Sequence, residues 1–264
     1  SGIGLYCARQ LKLMDYRVFA TARKEEDVKR LIDEGFESIC LDLSQSESIQ
    51  KALSWVLQKT NDKIDVLFNN GAYGQPGATE DLTREVMREQ FETNLFGTME
   101  LTNSVIAIMR KQAYGKIIHN SSILGFISFP FRGAYNASKY ALEGFADTQR
   151  LELHGSGISI SLIEPGPISS KFRENAYHNF IKNIDKENSY FKNHYKKMET
   201  HFSKKGPAVP FTLSEDAVYK KLLHAILAKS PNARYYVTFP TYLFAYLKRI
   251  LSSSALDWVI RKIN

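Results

Sequence analysis

Two residues four positions apart, Tyr135 and Lys139, have the spacing that best suits chemistry in this chain. They lie in the run Tyr-Asn-Ala-Ser-Lys near the start of a predicted helix, where positions i and i+4 share a face. Lowering the pKa of a phenol from about 10 to about 7 takes roughly 4 kcal/mol. An ammonium about 4 Å away supplies roughly that amount at an effective dielectric near 20. The pair therefore predicts a phenol that exchanges protons near neutral pH, although an exposed helical Tyr and Lys would have the same spacing.

Glycines at the beginning of the sequence suggest a phosphate site. Gly2 and Gly4, with Ile3 between them, open a predicted helix. Glycines at such a point let the backbone approach a pyrophosphate, whose charge is stabilised by free amide groups and by the positive end of the helix. A plain tight turn would show the same pattern, so this signal is weak alone.

The residues that follow the next two predicted strands bear on which nucleotide would bind. Arg23 and Lys24 follow the strand that ends at Thr21, with no acid before Glu25. A guanidinium suits a 2′-phosphate, so NADP is favoured over NAD, the alternative being a surface arginine at a helix start. Asp42, after the next apolar run, either leads into a helix or accepts a bond from an adenine amino group.

The order of the predicted elements indicates repeated strand–helix–strand units and a parallel sheet. The strands are predicted at Tyr16–Thr21, Ser38–Leu43, Ile64–Asn69, Lys116–Asn120, Ile158–Ile163 and Tyr235–Phe239. Helices are predicted at Ile3–Asp15, Lys24–Glu34, Gln45–Lys59, Thr83–Gln112, Ala134–His154 and Leu213–Lys229, the fourth of which could divide into two. The carboxyl ends of such strands are where open α/β sheets bind ligands. Asn69-Asn70-Gly71-Ala72 and Ser121-Ser122 both stand at such ends.

Two segments remain outside this pattern. Residues 171–211 mix aromatic, Lys and Asn residues without a clear period, which predicts a lid or substrate loop. Residues 240–264 have apolar side chains at helical spacing and predict one amphipathic helix. Packing on the domain is the commoner fate of such a helix, and lying on a membrane surface is the alternative.

The composition is that of an ordinary globular protein, which we interpret as a single domain over residues 1–264. The net charge is +7, with 44% hydrophobic and 24% charged residues, and suits an enzyme whose cofactor bears several phosphates. We find no nucleic-acid recognition motif, no metal-ligand spacing and no window of about 18 apolar residues. Two isolated cysteines, Cys7 and Cys40, favour a reducing cytoplasm.

With Gly2-Ile3-Gly4, Asn69-Asn70, Ser122, Tyr135-x-x-x-Lys139 and Pro165-Gly166 in this order, the sequence resembles the short-chain dehydrogenases/reductases. Within them it is most similar to bacterial NADP-dependent aldehyde reductases and to the 17β-hydroxysteroid and retinol dehydrogenase branch. The resemblance implies a doubly wound parallel sheet of the Rossmann type. It also implies NADP(H)-dependent reduction of an aldehyde or ketone to an alcohol, in a homodimer or homotetramer.

The resemblance also implies roles for individual residues. Tyr135 would give a proton to the substrate oxygen, Lys139 would lower the pKa of that tyrosine and bind the nicotinamide ribose, and Ser122 would bind the carbonyl. Asn94 would hold a water linking Lys139 to solvent. The remaining contacts would be to the nucleotide, with Arg23 at the 2′-phosphate, from the following residues: Gly2, Ile3, Gly4, Arg23, Asp42, Leu43, Asn69, Pro165, Gly166, Ile168 and Ser170.

Three departures from the family pattern bear on these expectations. The opening strand and the first glycine are absent, so we expect the sequence to be a fragment, and a polypeptide that began at Ser1 to bind cofactor poorly. The order Asn69-Asn70-Gly71-Ala72 replaces Asn-Asn-Ala-Gly, and Ser170 stands where Thr is commoner. A silent NADP(H)-binding regulatory module is the main alternative to an enzyme. Six aromatic residues suggest an apolar, bulky substrate unless they are core: Phe126, Phe129, Phe131, Tyr177, Phe180 and Phe202.

Overall fold

The computed structural model describes residues 1–202 and 210–263. All strand pairs in it are parallel, as the alternating pattern predicted. The strands are β1 (Phe19–Ala22), β2 (Glu37–Cys40), β3 (Val66–Asn69), β4 (Gly115–Asn120), β5 (Ile158–Glu164) and β6 (Arg234–Tyr236). Within the described ranges, β1 pairs with β2, and the other four form a separate sheet in the order β3-β4-β5-β6.

Helices follow each strand and cover both faces of the larger sheet. They are α1 (Gly2–Leu13), α2 (Glu25–Asp33), α3 (Ser46–Thr60), α4 (Arg84–Phe91), α5 (Gly97–Gln112), α6 (Gly133–Glu152), α7 (Phe172–Asn183), α8 (Lys192–Phe202), α9 (Asp216–Leu227), α10 (Phe239–Ile250) and α11 (Ser253–Ile263). The predicted division of Thr83–Gln112 is confirmed, because a π-helical turn, Glu92–Phe96, separates α4 from α5.

Alternate residues of the central strands enter two different cores. Ile118 and Ile163 pack with Val218 and Leu222 of α9 on one face of the sheet. Ile117 and its neighbours in β5 pack with helices α3, α5 and α6 on the other. Both sheet faces are therefore buried, which explains why the strand segments are almost wholly apolar.

The segment predicted as an irregular lid is largely helical. Within residues 171–202, α7 and α8 replace the expected loop, and Tyr195 of α8 is fully buried. Its hydroxyl bonds Asp81 and accepts from the Ala78 amide at 2.8 Å. Asn183 Nδ2 donates to Gln75 Oε1 at 2.7 Å, so both helices are tied to the segment after β3. The side chain of Phe202, one of the six predicted aromatic residues, lies outside the described part of the structure.

The C-terminal segment is two helices rather than the single one predicted. Leu251 and Ser252 interrupt the helix. The Ala255 amide donates to Ser252 Oγ at 3.4 Å at the start of α11. Phe244 of α10 and Ile260 of α11 are buried in one cluster, whereas Tyr246 and Trp258 are exposed. Across residues 1–202 and 210–263, no helix combines the length and hydropathy needed to cross a membrane.

Candidate active site

The residues predicted to be catalytic lie close together at the carboxyl ends of β3, β4 and β5. The turn after β4 contributes Ser122, whose Oγ accepts from the Leu124 amide at 3.1 Å and donates to the Pro165 carbonyl at 3.5 Å. Tyr135, in the first turn of α6, is 8% exposed and forms a side-chain hydrogen bond with Ser122. Ser122 therefore contacts both the tyrosine and the loop after β5.

The lysine one turn further along α6 lies directly behind this pair. Lys139 is 2% exposed. Its Nζ donates to the Asn120 carbonyl at 2.8 Å and lies 5.7 Å from the centroid of the Tyr135 ring. Asn136, next to the tyrosine, donates to the carbonyls of Leu124 and Ile127 at 3.1 and 2.7 Å. These bonds fix the start of α6 against the turn that holds Ser122.

The ionisation of this pair differs from the sequence-based expectation. Burial raises the pKa of Tyr135 above its ordinary value, and the hydrogen bond with Ser122 only partly offsets this effect. Burial also lowers the pKa of Lys139 to about 8, against a smaller opposing effect of Glu143. For Tyr135, burial thus outweighs the lowering of the pKa that was expected from an ammonium about 4 Å away, and the Lys139 amine is held by the Asn120 carbonyl.

Asn94 lies in the π-helical turn and fixes the loop after β3. Its Nδ2 donates to the Tyr73 carbonyl at 2.9 Å and to Ser138 Oγ at 3.1 Å, while its Oδ1 accepts from the Tyr73 amide at 3.1 Å. Single π-turns inside helices often occur at functional sites. Asn94 thus binds Ser138, the residue before Lys139, while the Lys139 amine donates to the Asn120 carbonyl.

The glycine-rich start of α1 meets two other predicted loops. A Cβ at Gly4 would lie 2.6 Å from the Asn70 amide nitrogen, and Gly2 has φ +57° and would place a Cβ 3.3 Å from that of Ser170. Ile168, near Ser170, packs in the same core as Ile3. The predicted pyrophosphate and nicotinamide segments are thus adjacent, and only glycine leaves the space between α1 and Asn70.

The loop after β5 is held from both sides. The Pro165 carbonyl accepts from the Ile123 amide at 2.8 Å. A Cβ at Gly166 would lie 2.1 Å from Thr238 Oγ1 at the start of α10. Ser170 Oγ accepts from the Phe172 amide at 3.3 Å, so this hydroxyl also begins α7.

Asn69 and Asn70 point in different directions. Asn69 Nδ2 donates to Thr102 Oγ1 at 2.9 Å and lies 3.2 Å from His119 Nδ1, so this side chain enters the core. Asn70 Oδ1 instead accepts from Asn120 Nδ2 at 2.8 Å, beside Gly4. The side chain beside α1 is therefore that of Asn70, whereas the Asn69 side chain is held by Thr102 and lies beside His119.

The residues predicted near the adenine lie beyond this edge. Asp42 Oδ1 accepts from the amide and the hydroxyl of Ser44 at 2.9 and 2.8 Å, which supports the turn into α3. Leu43 packs so closely on Gly97 that a Cβ there would lie 1.7 Å from the Leu43 carbonyl oxygen. Arg23 is exposed and forms no ion pair within residues 1–202 and 210–263.

These features fit a dinucleotide. The first turn of α1 has no acidic residue, and its N-cap side chain forms no capping hydrogen bond. Arg23, which has no ion-pair partner among the described residues, follows β1, and Gly4 lets the Asn70 side chain lie close to the backbone of α1. A helix start without acidic residues offers backbone N–H donors to a phosphate, and a glycine lets the phosphate approach them. The guanidinium donates further hydrogen bonds.

The aromatic side chains divide into two groups. Phe126 and Phe129 pack in the cluster that holds Tyr135, together with apolar side chains of α10 and α11. Phe131, Tyr177 and Phe180 belong to a second cluster around Tyr195, so they are core. The sequence prediction omitted Phe172, whose ring centroid lies 5.2 Å from that of Tyr135.

Comparison with known proteins agrees with this geometry. The family model described as short chain dehydrogenase matches residues 1–180. The chain therefore belongs to the short-chain dehydrogenase family and is an oxidoreductase with a Rossmann-type fold, as the sequence resemblance predicted.

Three similar proteins show the range of this likeness. The uncharacterized oxidoreductase YbbO of Escherichia coli strain K12 is 37% identical over 261 residues, covering 99% of this chain and 91% of that protein. The 17-beta-hydroxysteroid dehydrogenase type 6 of Bos taurus is 30% identical over 272 residues, covering 99% and 85%. A variant of actinorhodin polyketide ketoreductase solved with NADPH is 25% identical, with a TM-score of 0.73, covering 90% and 92%.

Proposed function

We propose that the protein reduces an aldehyde or ketone to an alcohol with NADPH, and that Tyr135 donates the proton. The observation that carries this proposal is the contact of Ser122 with Tyr135, with Lys139 behind them, at the carboxyl edge of the sheet. The reduced nicotinamide supplies the hydride when bound. Ser122 and Tyr135 orient the carbonyl oxygen between two hydroxyl groups, and the tyrosine passes its proton to that oxygen as negative charge develops.

Lys139 would act on the tyrosine rather than on the substrate. In its charged form the amine stabilises the phenolate left after proton transfer, and the Asn120 carbonyl holds it in place. Asn94, through Ser138 and the loop after β3, would keep a proton path open beside Lys139. A silent nucleotide-binding module would lack one of these groups, and all four are present.

Preference for NADP(H) is supported by the end of β1. Arg23 is exposed and has no acidic partner in the described ranges, while Lys24 pairs with Glu26 at 3.3 Å. No carboxylate follows β1 directly to accept bonds from an unphosphorylated ribose. Contacts from Asp42, Leu43, Asn69, Ile168 and the other predicted nucleotide residues form part of the same proposal, with Asn70 added.

The substrate is proposed to be apolar and fairly bulky. Tyr135 lies in a hydrophobic cluster whose side chains come from the turn after β4 and from the C-terminal helices: Ile123, Leu124, Phe126, Ile127, Phe129, Phe244, Leu247, Leu256, Val259 and Ile260. Phe172 adds a ring over the tyrosine. A pocket of this kind binds through buried apolar area and uses a few polar groups for orientation, which suits a long-chain aldehyde, a ketosteroid or retinal.

The test replaces one hydroxyl. Tyr135→Phe should lower NADPH oxidation by on the order of 10²–10⁴-fold, since it removes the proton donor, while NADPH binding measured by fluorescence should remain. Tyr140→Phe is the matched control, because Tyr140 lies on the same helix but is 37% exposed. The substrates assayed should include aldehydes, ketosteroids and retinal. Turnover retained by Tyr135→Phe would remove this residue from the mechanism.

Assembly and location complete the proposal. A homodimer or homotetramer in the cytoplasm fits the family and the two free cysteines, and sedimentation analysis measures the assembly directly. The alternative, a steroid- or retinoid-type dehydrogenase at the membrane surface, is favoured by the exposed Tyr246, Ile250 and Trp258 beside basic residues of α10 and α11. Packing of Phe244 and Ile260 on the tyrosine cluster favours the domain-bound role. We expect no pelleting with liposomes, and pelleting would support the membrane alternative.

A further inference from the structure

A row of ionisable side chains continues along α6 beyond the lysine. Tyr135, Lys139, Glu143 and Asp147 are spaced four residues apart and so follow one face of the helix. Glu143 is 4% exposed, and a carboxylate is rarely buried to this extent unless it is paired. Its contacts therefore indicate what it does for the site.

Glu143 joins the active-site turn to the last strand. Its Oε1 accepts from Ser121 Oγ at 2.7 Å and its Oε2 accepts from Arg234 Nη1 at 2.6 Å. A Cβ at Gly125 would lie 2.1 Å from Glu143 Oε1, so the turn after β4 leaves space for this carboxylate. Arg234 also bonds Glu164, and it donates to Asp147 Oδ2 at 2.6 Å.

Ser121 lies between two residues already placed at the site. The residue before it, Asn120, accepts a hydrogen bond from the Lys139 amine at its carbonyl. The residue after it, Ser122, contacts Tyr135. We propose that Glu143 is a positioning residue, which through Ser121 and Arg234 holds the end of β4 in register with α6 and places its charge one helical turn behind Lys139. This inference rests on the proposed function of Tyr135 and Lys139.

The charge state of the cluster supports this role. Glu143 accepts a hydrogen bond at each oxygen, whereas Glu164 Oε2 has no partner within the described part of the chain. Burial raises the pKa of both carboxyls, that of Glu164 to about 8, while the hydrogen bonds from Ser121 and Arg234 oppose this rise for Glu143 and favour its charged form. Glu143 in turn opposes the effect of burial on the pKa of Lys139.

Other ionisable groups in and beside this cluster also enter any pH measurement. Tyr135 and Glu143 share its helix, Glu164 belongs to β5 and Arg234 to β6. His119 of β4 has a pKa lowered to about 3 by burial and by Lys139, so it remains neutral near pH 8. Because Glu164 titrates in the same range as Lys139, the measurement must observe the lysine itself.

The first test compares Glu143→Gln with Asp147→Asn. Both variants remove a carboxylate bonded to Arg234, but only Glu143 contacts Ser121 and lies one turn from Lys139. With carbonyl substrate, the alkaline limb of kcat should move to lower pH by on the order of one unit in Glu143→Gln, as a charge about 6 Å away implies. The profile of Asp147→Asn should match wild type. Equal shifts of the alkaline limb in both variants would overturn the proposal, because Glu143 would then act only as a structural partner of Arg234.

The second test does not depend on turnover. The NMR titration of the Lys139 side chain in the free protein should give a lower pKa in Glu143→Gln than in wild type or Asp147→Asn. An unchanged Lys139 titration would overturn the inference. Absence of carbonyl reduction by wild type would instead refute the proposed function alone. If Glu143→Gln does not fold, Ser121→Ala should move the Lys139 titration in the same direction by less, since it removes one bond that keeps the carboxylate charged, and no movement would overturn the inference.

Discussion

Replacing Lys139 by methionine should stabilise the protein while removing its activity. The amine is 2% exposed, and burial lowers its pKa from an ordinary 10.5 to about 8. A lysine held at such a site is charged at neutral pH only at a cost to folding. Lys139→Met removes that charge and keeps a side chain of similar length.

The size of the effect follows from the two pKa values. The gap between 10.5 and about 8 corresponds to about 3 kcal/mol at roughly 1.36 kcal/mol per pH unit. The variant also leaves the Asn120 carbonyl without its donor at 2.8 Å, which costs about 1–2 kcal/mol. A net gain of about 1–2 kcal/mol raises Tm by roughly 2–8 °C in a domain of this size.

The pH dependence gives the prediction its sign. The folded-state pKa of Lys139 is lowered to about 8, so between about pH 8 and 10.5 the unfolded chain binds more protons than the folded one. The stability of wild type therefore rises with pH through this window. The advantage of Lys139→Met is full below about pH 8 and disappears above about pH 10.5.

Differential scanning calorimetry of both proteins without nucleotide, from about pH 6 to pH 10, measures this difference. Lys51→Met is a suitable control, because Lys51 is an exposed lysine of α3 and its replacement should leave the pH dependence unchanged. A Lys139→Met variant that is less stable than wild type near pH 7, or a difference that does not shrink toward pH 10, would refute the reasoning.

Three further substitutions test other parts of the site. Arg23→Ala should raise the KM for NADPH by about 10–100-fold, as loss of a charged hydrogen bond implies, and leave that for NADH unchanged; equal effects on both cofactors would separate Arg23 from the 2′-phosphate. Gly97→Ala should cost about 1–3 kcal/mol, because its Cβ would lie 1.7 Å from the Leu43 carbonyl oxygen, and an unaltered Tm would contradict this close packing. Phe172→Ala should raise the KM for apolar aldehydes several-fold, since it uncovers Tyr135, with little change in Tm because Phe172 is 39% exposed; an identical KM would exclude its ring from the pocket.

The strands and most helices were predictable because burial on both sheet faces produces apolar runs. The run Lys116–Asn120, for example, is observed as β4, Gly115–Asn120, and Ile158–Ile163 as β5, Ile158–Glu164. The order of these runs then places Ser122 and Pro165 at one edge of the sheet. Much of the site could therefore be predicted from sequence, because it lies where regular elements end.

The helices of the segment after residue 171 were not predictable from local pattern. In α7 only Ala176 and Phe180 are buried, which is too few positions to give an apolar stripe. What fixes the segment is long-range, such as the bond of the Tyr195 hydroxyl to the Ala78 amide at 2.8 Å. The break between α10 and α11 did have a local signal, since the serine run at Ser252 offers the N-cap residue typical of a helix start.

The different directions of the Asn69 and Asn70 side chains have another cause. Both asparagines follow the same apolar run, and the side to which each points depends on the last residue of the strand, which sequence places only to within a residue or two. Glu143 and Arg234 are also missed by sequence reasoning, because they are distant in the chain and meet only when β6 packs beside β5.

The burial of charge around α6 bears directly on whether this protein is an enzyme. Lys139, Glu143 and Glu164 are all nearly or fully buried, and each costs free energy that an apolar residue of similar volume would not. A module that only bound a nucleotide would need the glycine approach and the cation after β1, but no desolvated lysine behind a tyrosine. Since such costs persist where they serve a site, the row from Tyr135 to Glu143 favours proton transfer over simple binding.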